Sequence, residues 1–294
     1  MKTSPECLPC FLRQAEYAAG IATNVPSLRK EIMDQAVKLI PSFDLEISPP
    51  ENSVSLYRMI AEKSNNADIF ADLKTKSNHA ALEMLPAMED NIRYAKDPLD
   101  TAIRLAIAGN IIDYGSQQEF DVDNSINRCL SDPLVLNDLN VFKEDLQQTG
   151  KILYLADNCG ELVFDRLLIE FLDRPVTLAV KEHPIINDAL LADAQSCGLE
   201  PNCRIISNGT GCPGTPLENC NREFIKEFES ADLIISKGQG NFETLSEIPA
   251  PAYFMLMVKC PVVAAHLGEI SGDRDSKIGP GDLVLMKQKM QRAS

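Results

Sequence analysis

No run of about 18 apolar residues occurs anywhere in the chain, so no stretch of it reads as a membrane-spanning helix. The N-terminal MKTSPECLPCFLRQ lacks the unbroken apolar core of a secretory signal, and a cytoplasmic protein is expected. Basic residues are in the minority: 28 Lys and Arg against 43 Asp and Glu give a net charge of −15 and a pI near 4.7. That sign argues against a protein that binds nucleic-acid phosphates. There are only three histidines, and His183 alone lies near the end of a predicted strand, which argues against an all-histidine metal centre. Cysteine is not scarce, but nine is an odd count in a chain too long to need staples, so reduced thiols are expected rather than a disulfide framework. Cys7 and Cys10 form the one CxxC, and Cys212 and Cys220 are too widely spaced to supply a second. The pair is either part of a zinc, iron–sulfur or redox site, or two small apolar residues packed at a helix start. Two phosphate-binding fingerprints are also missing. GxxxxGK[ST] does not occur, and GQGNFE places Glu243 where a dinucleotide GxGxxG needs its last glycine.

At 294 residues and 45% hydrophobic composition, the chain can bury a substantial core in one large domain or two modest ones. Residues 1–149 read as helices joined by polar breaks, with Phe11, Leu12, Ala15, Ala18 and Ala19 sharing one face and Leu28, Ile32, Ala36 and Leu39 another. Within them, AIAGNIIDYG places Asn110 and Asp113 three apart on one face of an apolar helix. These two are hydrogen-bonded core polars, helix caps or contributors to a cleft. From Gly150 the period changes. Short apolar runs at 152–155, 176–180, 204–207, 232–236, 252–258 and 282–286 alternate with helical or loop stretches, which implies parallel pairing through right-handed crossovers. The expected fold is α/β: a doubly wound, mostly parallel sheet over residues 150–294, preceded by an all-helical domain over 1–149.

The stretch KILYLADNCGELVFD, Lys151 to Asp165, is central to this reading. Its continuous apolar run suits a strand covered on both faces, and Asp157 and Asn158 fall at the carboxyl end, where open parallel sheets bind ligands. Three further strand ends carry polar or glycine-rich segments: KEHPIIND with Asn187 and Asp188, NGTGCPGTP with Gly209, and KGQGNFE with Lys237 and Gly238. Asp188 either caps the next helix or joins Asp157 and the Asn158 carbonyl in holding a cation. Such all-oxygen donors favour Mg²⁺ or Mn²⁺ over zinc. A lysine beside Gly238 and Gly240 suits a phosphate. A haloacid-dehalogenase mechanism needs a second acid two residues after the first, and Cys159 occupies that place.

In combination and in order, AGNIIDYG, ADNCGE, PIIND, NGTGCPGT and KGQGNFE resemble the DUF89 family of metal-dependent damage-control phosphatases, in particular its prokaryotic branch with an N-terminal CxxC. The resemblance implies a Rossmann-like α/β domain under a helical one, and hydrolysis of small phosphorylated metabolites such as sugar phosphates or cofactor fragments. It also implies a divalent cation (Mn²⁺, Mg²⁺, Co²⁺ or Ni²⁺) held by Asp157, Asn158 and Asp188, with Lys237 facing the phosphate. Glu161, Asn110, Asp113, Gly209 and Gly238 become cleft residues by position. Two other functions stand beside this one: an S-adenosylmethionine-dependent carboxyl methyltransferase, and a thiol or metal sensor built on Cys7 and Cys10. Neither a nucleic-acid nor a membrane partner is expected, and the oligomeric state is left open.

Overall fold

The structure is a computed structural model and describes residues 1–109, 122–272 and 277–289. Its first three helices are α1 (Cys7–Ala22), α2 (Pro26–Leu39) and α3 (Pro49–Ser64). Proline opens α2 and α3, where its missing N–H costs nothing, and Ser48 with Glu51 forms a capping box ahead of α3. These helices bury their own cluster, including Phe11, Ala15, Ile32, Ala36, Leu56 and Ile60. The next two, α4 (Ala71–Arg93) and α5 (Pro98–Ala108), pack elsewhere. Seven residues of α5, from Leu99 to Ala108, join the core that includes Ile152, Tyr154, Leu178 and Ile235, so α4 and α5 cover one face of the sheet.

After α6 (Val122–Ser131) comes a strand, β1 (Leu134–Asn137), and then α7 (Leu139–Gln148). This strand lies within the stretch that reads as helical. Its four residues, LVLN, are too few for an alternating pattern to register, and it gains its hydrogen-bond partner from the far end of the chain. The remaining strands fall within a residue or so of the expected runs: β2 (Ile152–Leu155), β3 (Val176–Val180), β4 (Arg204–Ser207), β5 (Leu233–Lys237), β6 (Ala252–Met257) and β7 (Leu283–Lys287). Between them lie α8 (Leu162–Leu172), α9 (Leu191–Ser196), α10 (Arg222–Ser230), α11 (Gly238–Leu245) and α12 (Pro261–Ser271).

The strands form one seven-stranded sheet in the order β1-β7-β6-β5-β2-β3-β4. Every adjacent pair is parallel except β6 and β7. All four residues of β2 are buried, as its unbroken apolar run requires of a strand covered on both faces. From β2 the chain steps outward through β3 to β4, then returns to lay β5 on the other flank of β2. The order therefore reverses between β2 and β5, and their carboxyl ends border the crevice where such sheets bind ligands. No described helix is long and apolar enough to cross a membrane.

Candidate active site

Beyond the ends of β2 and β3 the two chains keep pairing, now in the opposite sense. Asn158 and Asp188 form an isolated antiparallel bridge. Ala189 N–H donates to the Asp157 carbonyl at 2.9 Å and Cys159 N–H to the Asn187 carbonyl at 2.9 Å. This short ribbon brings Asp157 and Asp188, distant in sequence, into one buried patch at the switch point. Ile186 precedes it with φ of 43°, a left-handed conformation that costs a β-branched residue strain. Ile185 is anchored in the α1–α3 core, so the loop that delivers Asp188 is held from the helical side.

The carboxylates crowd one another. Burial pushes the Asp157 carboxyl well above its ordinary range, and the charges of Glu161 and Asp188 add to the push, against Lys259 and Lys181. Burial also raises Asp188, to about 6, although Lys181 pulls it back. Lys181 Nζ stands 3.6 Å from Asp188 Oδ2, too far for a hydrogen bond, and donates instead to the Gly214 carbonyl at 2.7 Å. Asp188 Oδ2 is thus a buried oxygen with no hydrogen-bond donor. Asn158 Nδ2 donates to Asp157 Oδ2 at 3.1 Å and to Glu161 Oε2 at 3.4 Å, which leaves Oδ1 as the amide atom able to meet a cation. Two buried carboxylates, one oxygen lacking a donor, and an amide oxygen are a donor set that suits a hard divalent ion. Among the described residues, no group of three or more His, Cys, Asp or Glu gathers as a metal cluster, so the set rests on Asn158 as its third member.

Lys237 and Gly238 join β5 to α11. Gly238 adopts φ of +76°, and a Cβ there would lie 1.8 Å from Asp157 Oδ2, so only glycine lets the head of α11 approach that carboxylate. Lys237 departs from the expectation that it faces a phosphate. Its ammonium is fully buried and donates to Glu161 Oε1 at 2.6 Å, Asp165 Oδ1 at 2.5 Å and the Ala106 carbonyl at 2.8 Å. Three donors meet three acceptors, and none remains for a ligand. Burial alone lowers a lysine pKa, but Asp165 and Glu161 outweigh it and keep Lys237 charged.

The other expected site residues divide. Glu161 is buried against Asn158 and Lys237. Gly209, at φ of +85°, lines a neighbouring cleft of about 930 Å³ between the end of α3 and the loops after β3 and β4, whose walls include neither Asp157 nor Asp188. Asn110 and Asp113 lie outside the described residues. Cys7 and Cys10 are half-buried free thiols, and Cys212 and Cys220 are free as well.

Sequence reasoning missed three groups. Lys181 and Lys259 each lie just past the end of a strand, and both oppose the rise of Asp157 and Asp188. Of the two, Lys259 is exposed, with its N–H bonded to Gln239 Oε1 at 3.0 Å. Asp165 was the third. Two acids four apart at the head of the apolar helix α8, Glu161 at its N-cap and Asp165 in its first turn, already point to a buried cation.

A switch-point crevice beneath a helical layer, with acids brought together by the loops after β2 and β3, defines a Rossmann-like α/β protein. More narrowly, the chain belongs to the damage-control phosphatase ARMT1-like domain family, which matches residues 3–274. It is 37% identical to damage-control phosphatase PH1575 of Pyrococcus horikoshii, covering 99% of this chain and 100% of the relative. A damage-control phosphatase of Archaeoglobus fulgidus is 32% identical over 95% of this chain and 99% of its own. The crystal structure of a DUF89 family protein from P. horikoshii superposes with a TM-score of 0.86 at 35% identity, covering 98% of this chain and 100% of that one. The resemblance drawn from the motifs is therefore borne out, and these relatives support a phosphatase role.

Proposed function

We propose that the chain is a divalent-metal-dependent phosphatase that acts in the cytoplasm on small phosphorylated metabolites, sugar phosphates or phosphorylated cofactor fragments. The observation that carries this reading is the antiparallel pairing of the β2 and β3 loops, which sets Asp157 beside Asp188 and leaves Asp188 Oδ2 without a donor. Asp157, the Asn158 Oδ1 and Asp188 would hold Mn²⁺, Mg²⁺, Co²⁺ or Ni²⁺. When bound, the cation supplies Lewis-acid polarisation of a phosphoryl oxygen and offsets the repulsion among the acids.

The chain's own groups do the rest. The head of α11 at Gly238, brought against Asp157, presents backbone N–H groups to the substrate phosphate. Lys259, the exposed cation that acts on both aspartates, covers the phosphate oxygens as their charge shifts in the transition state. Lys181 stays with Asp188 and keeps it ionised against burial. The test is phosphate release from a panel of sugar phosphates and p-nitrophenyl phosphate with each divalent ion, for the wild type and for Asp157→Asn. The variant is expected to lose metal-dependent release while its circular dichroism is unchanged; full activity in Asp157→Asn would reject the site.

A further inference from the structure

Lys237 heads a buried chain of polar groups that ends on Asn158. Tyr154 hydroxyl donates to Asp165 Oδ1 at 2.6 Å, and Lys237 Nζ donates to the same oxygen. Lys237 Nζ also holds Glu161 Oε1, and Glu161 Oε2 accepts from Asn158 N at 3.5 Å and from Asn158 Nδ2 at 3.4 Å. Holding Oε1 restricts the rotation of the Glu161 carboxylate and keeps Oε2 within reach of Asn158. That contact favours one orientation of the amide: Nδ2 donates to Glu161 and Asp157, and Oδ1 faces away from them. The third partner of Lys237, the Ala106 carbonyl, belongs to the last turn of α5, where helix carbonyls lack internal partners and a cation is favoured. One ammonium therefore ties α5, α8 and the end of β5 to the loop after β2.

We propose that Lys237 is a positioning residue: with Tyr154 and Asp165 it orients Glu161, and through Glu161 it presents the Asn158 amide oxygen to the cation. This rests on the metal-dependent reading above and replaces a direct grip on phosphate. Stability alone is a poor reason to keep such a group. A lysine and two acids buried together barely repay their desolvation, and Asp165 Oδ2 lacks any hydrogen-bond partner. Outer partners that orient a metal ligand, by contrast, typically change metal affinity by 10–100-fold when removed.

The experiment is calorimetric titration of Mn²⁺ into chelator-treated protein, paired with KM for p-nitrophenyl phosphate at saturating Mn²⁺. For Lys237→Met, Mn²⁺ affinity is expected to fall about 10–100-fold while KM at saturating ion holds. Tyr154→Phe, which removes one hydroxyl and keeps the ring packing, is expected to shift Mn²⁺ affinity in the same direction by less; it decides the matter where Lys237→Met does not fold. Unchanged Mn²⁺ affinity with a raised KM makes Lys237 a phosphate ligand and overturns the proposal. Equal affinity and KM in wild type and both variants overturns it too, by reducing the network to packing. A wild-type protein that takes up no Mn²⁺ sinks the metal reading and this proposal together, whereas equal affinities sink this proposal alone.

Discussion

Asn158 and Asp188 face each other across an antiparallel bridge that extends beyond the parallel strands delivering them. Because the bridge is made by backbone, the meeting of the two loops does not depend on either side chain. Asp188→Ala and Asp157→Asn are therefore expected to fold, to keep their far-ultraviolet dichroism, and to lose phosphate release by roughly 100-fold or more, the scale on which a transition-state charge partner acts. An unfolded Asp188→Ala would show instead that the carboxylate, not the ribbon, holds the loop.

Gly238→Ala places a methyl carbon within 1.8 Å of Asp157 Oδ2 at a backbone φ of +76°. The left-handed conformation alone costs about 1–2 kcal/mol for a residue bearing Cβ, and the contact forces Asp157 or the head of α11 to move. Urea unfolding is expected to show a loss of that size or greater, with activity lost more completely than stability. A fully active, equally stable Gly238→Ala contradicts the close approach.

Burial raises the Glu243 carboxyl from its usual 4.5 to about 7, against the pull of its hydrogen bond from Gln239. Above pH 4.5 the unfolded chain releases this proton while the folded chain still holds it, so stability falls as pH rises, until the folded group also ionises near 7. The loss attributable to this residue is on the order of 3 kcal/mol. Glu243→Gln is expected to flatten the fall between pH 4.5 and 7 in denaturant titrations at a series of pH values. A variant whose pH profile parallels the wild type removes Glu243 as the cause.

Mn²⁺ is expected to raise the melting temperature of chelator-treated protein, with a gain of about 2.7 kcal/mol at one hundred times its dissociation constant. Asp188→Ala is expected to show no such gain. Equal stabilisation of both proteins places the ion elsewhere.

Much of this was legible in the residue order. The continuous apolar runs of β2, β3 and β5 mark strands covered on both faces, and the polar residues after them mark the switch point. β1 was not legible, since LVLN acquires its partner only through β7. The docking of α4 and α5 on the sheet was hidden too, because an amphipathic helix does not say which core it faces. At the site, Asp157, Asn158 and Asp188 stood out by position. The engagement of Lys237 did not, because a strand-end lysine next to glycines looks the same in sequence whether it meets a phosphate or two buried acids. Glu161 and Asp165, four apart across the start of α8, carried the missing signal.

The most direct measurement is phosphate release from p-nitrophenyl phosphate by chelator-treated protein as Mn²⁺ is titrated back, for the wild type and Asp188→Ala. Activity is expected to return and saturate in the wild type and to stay at background in the variant. Turnover that needs no ion, or that returns equally in both proteins, contradicts the assignment of Asp157, Asn158 and Asp188 as the cation's ligands.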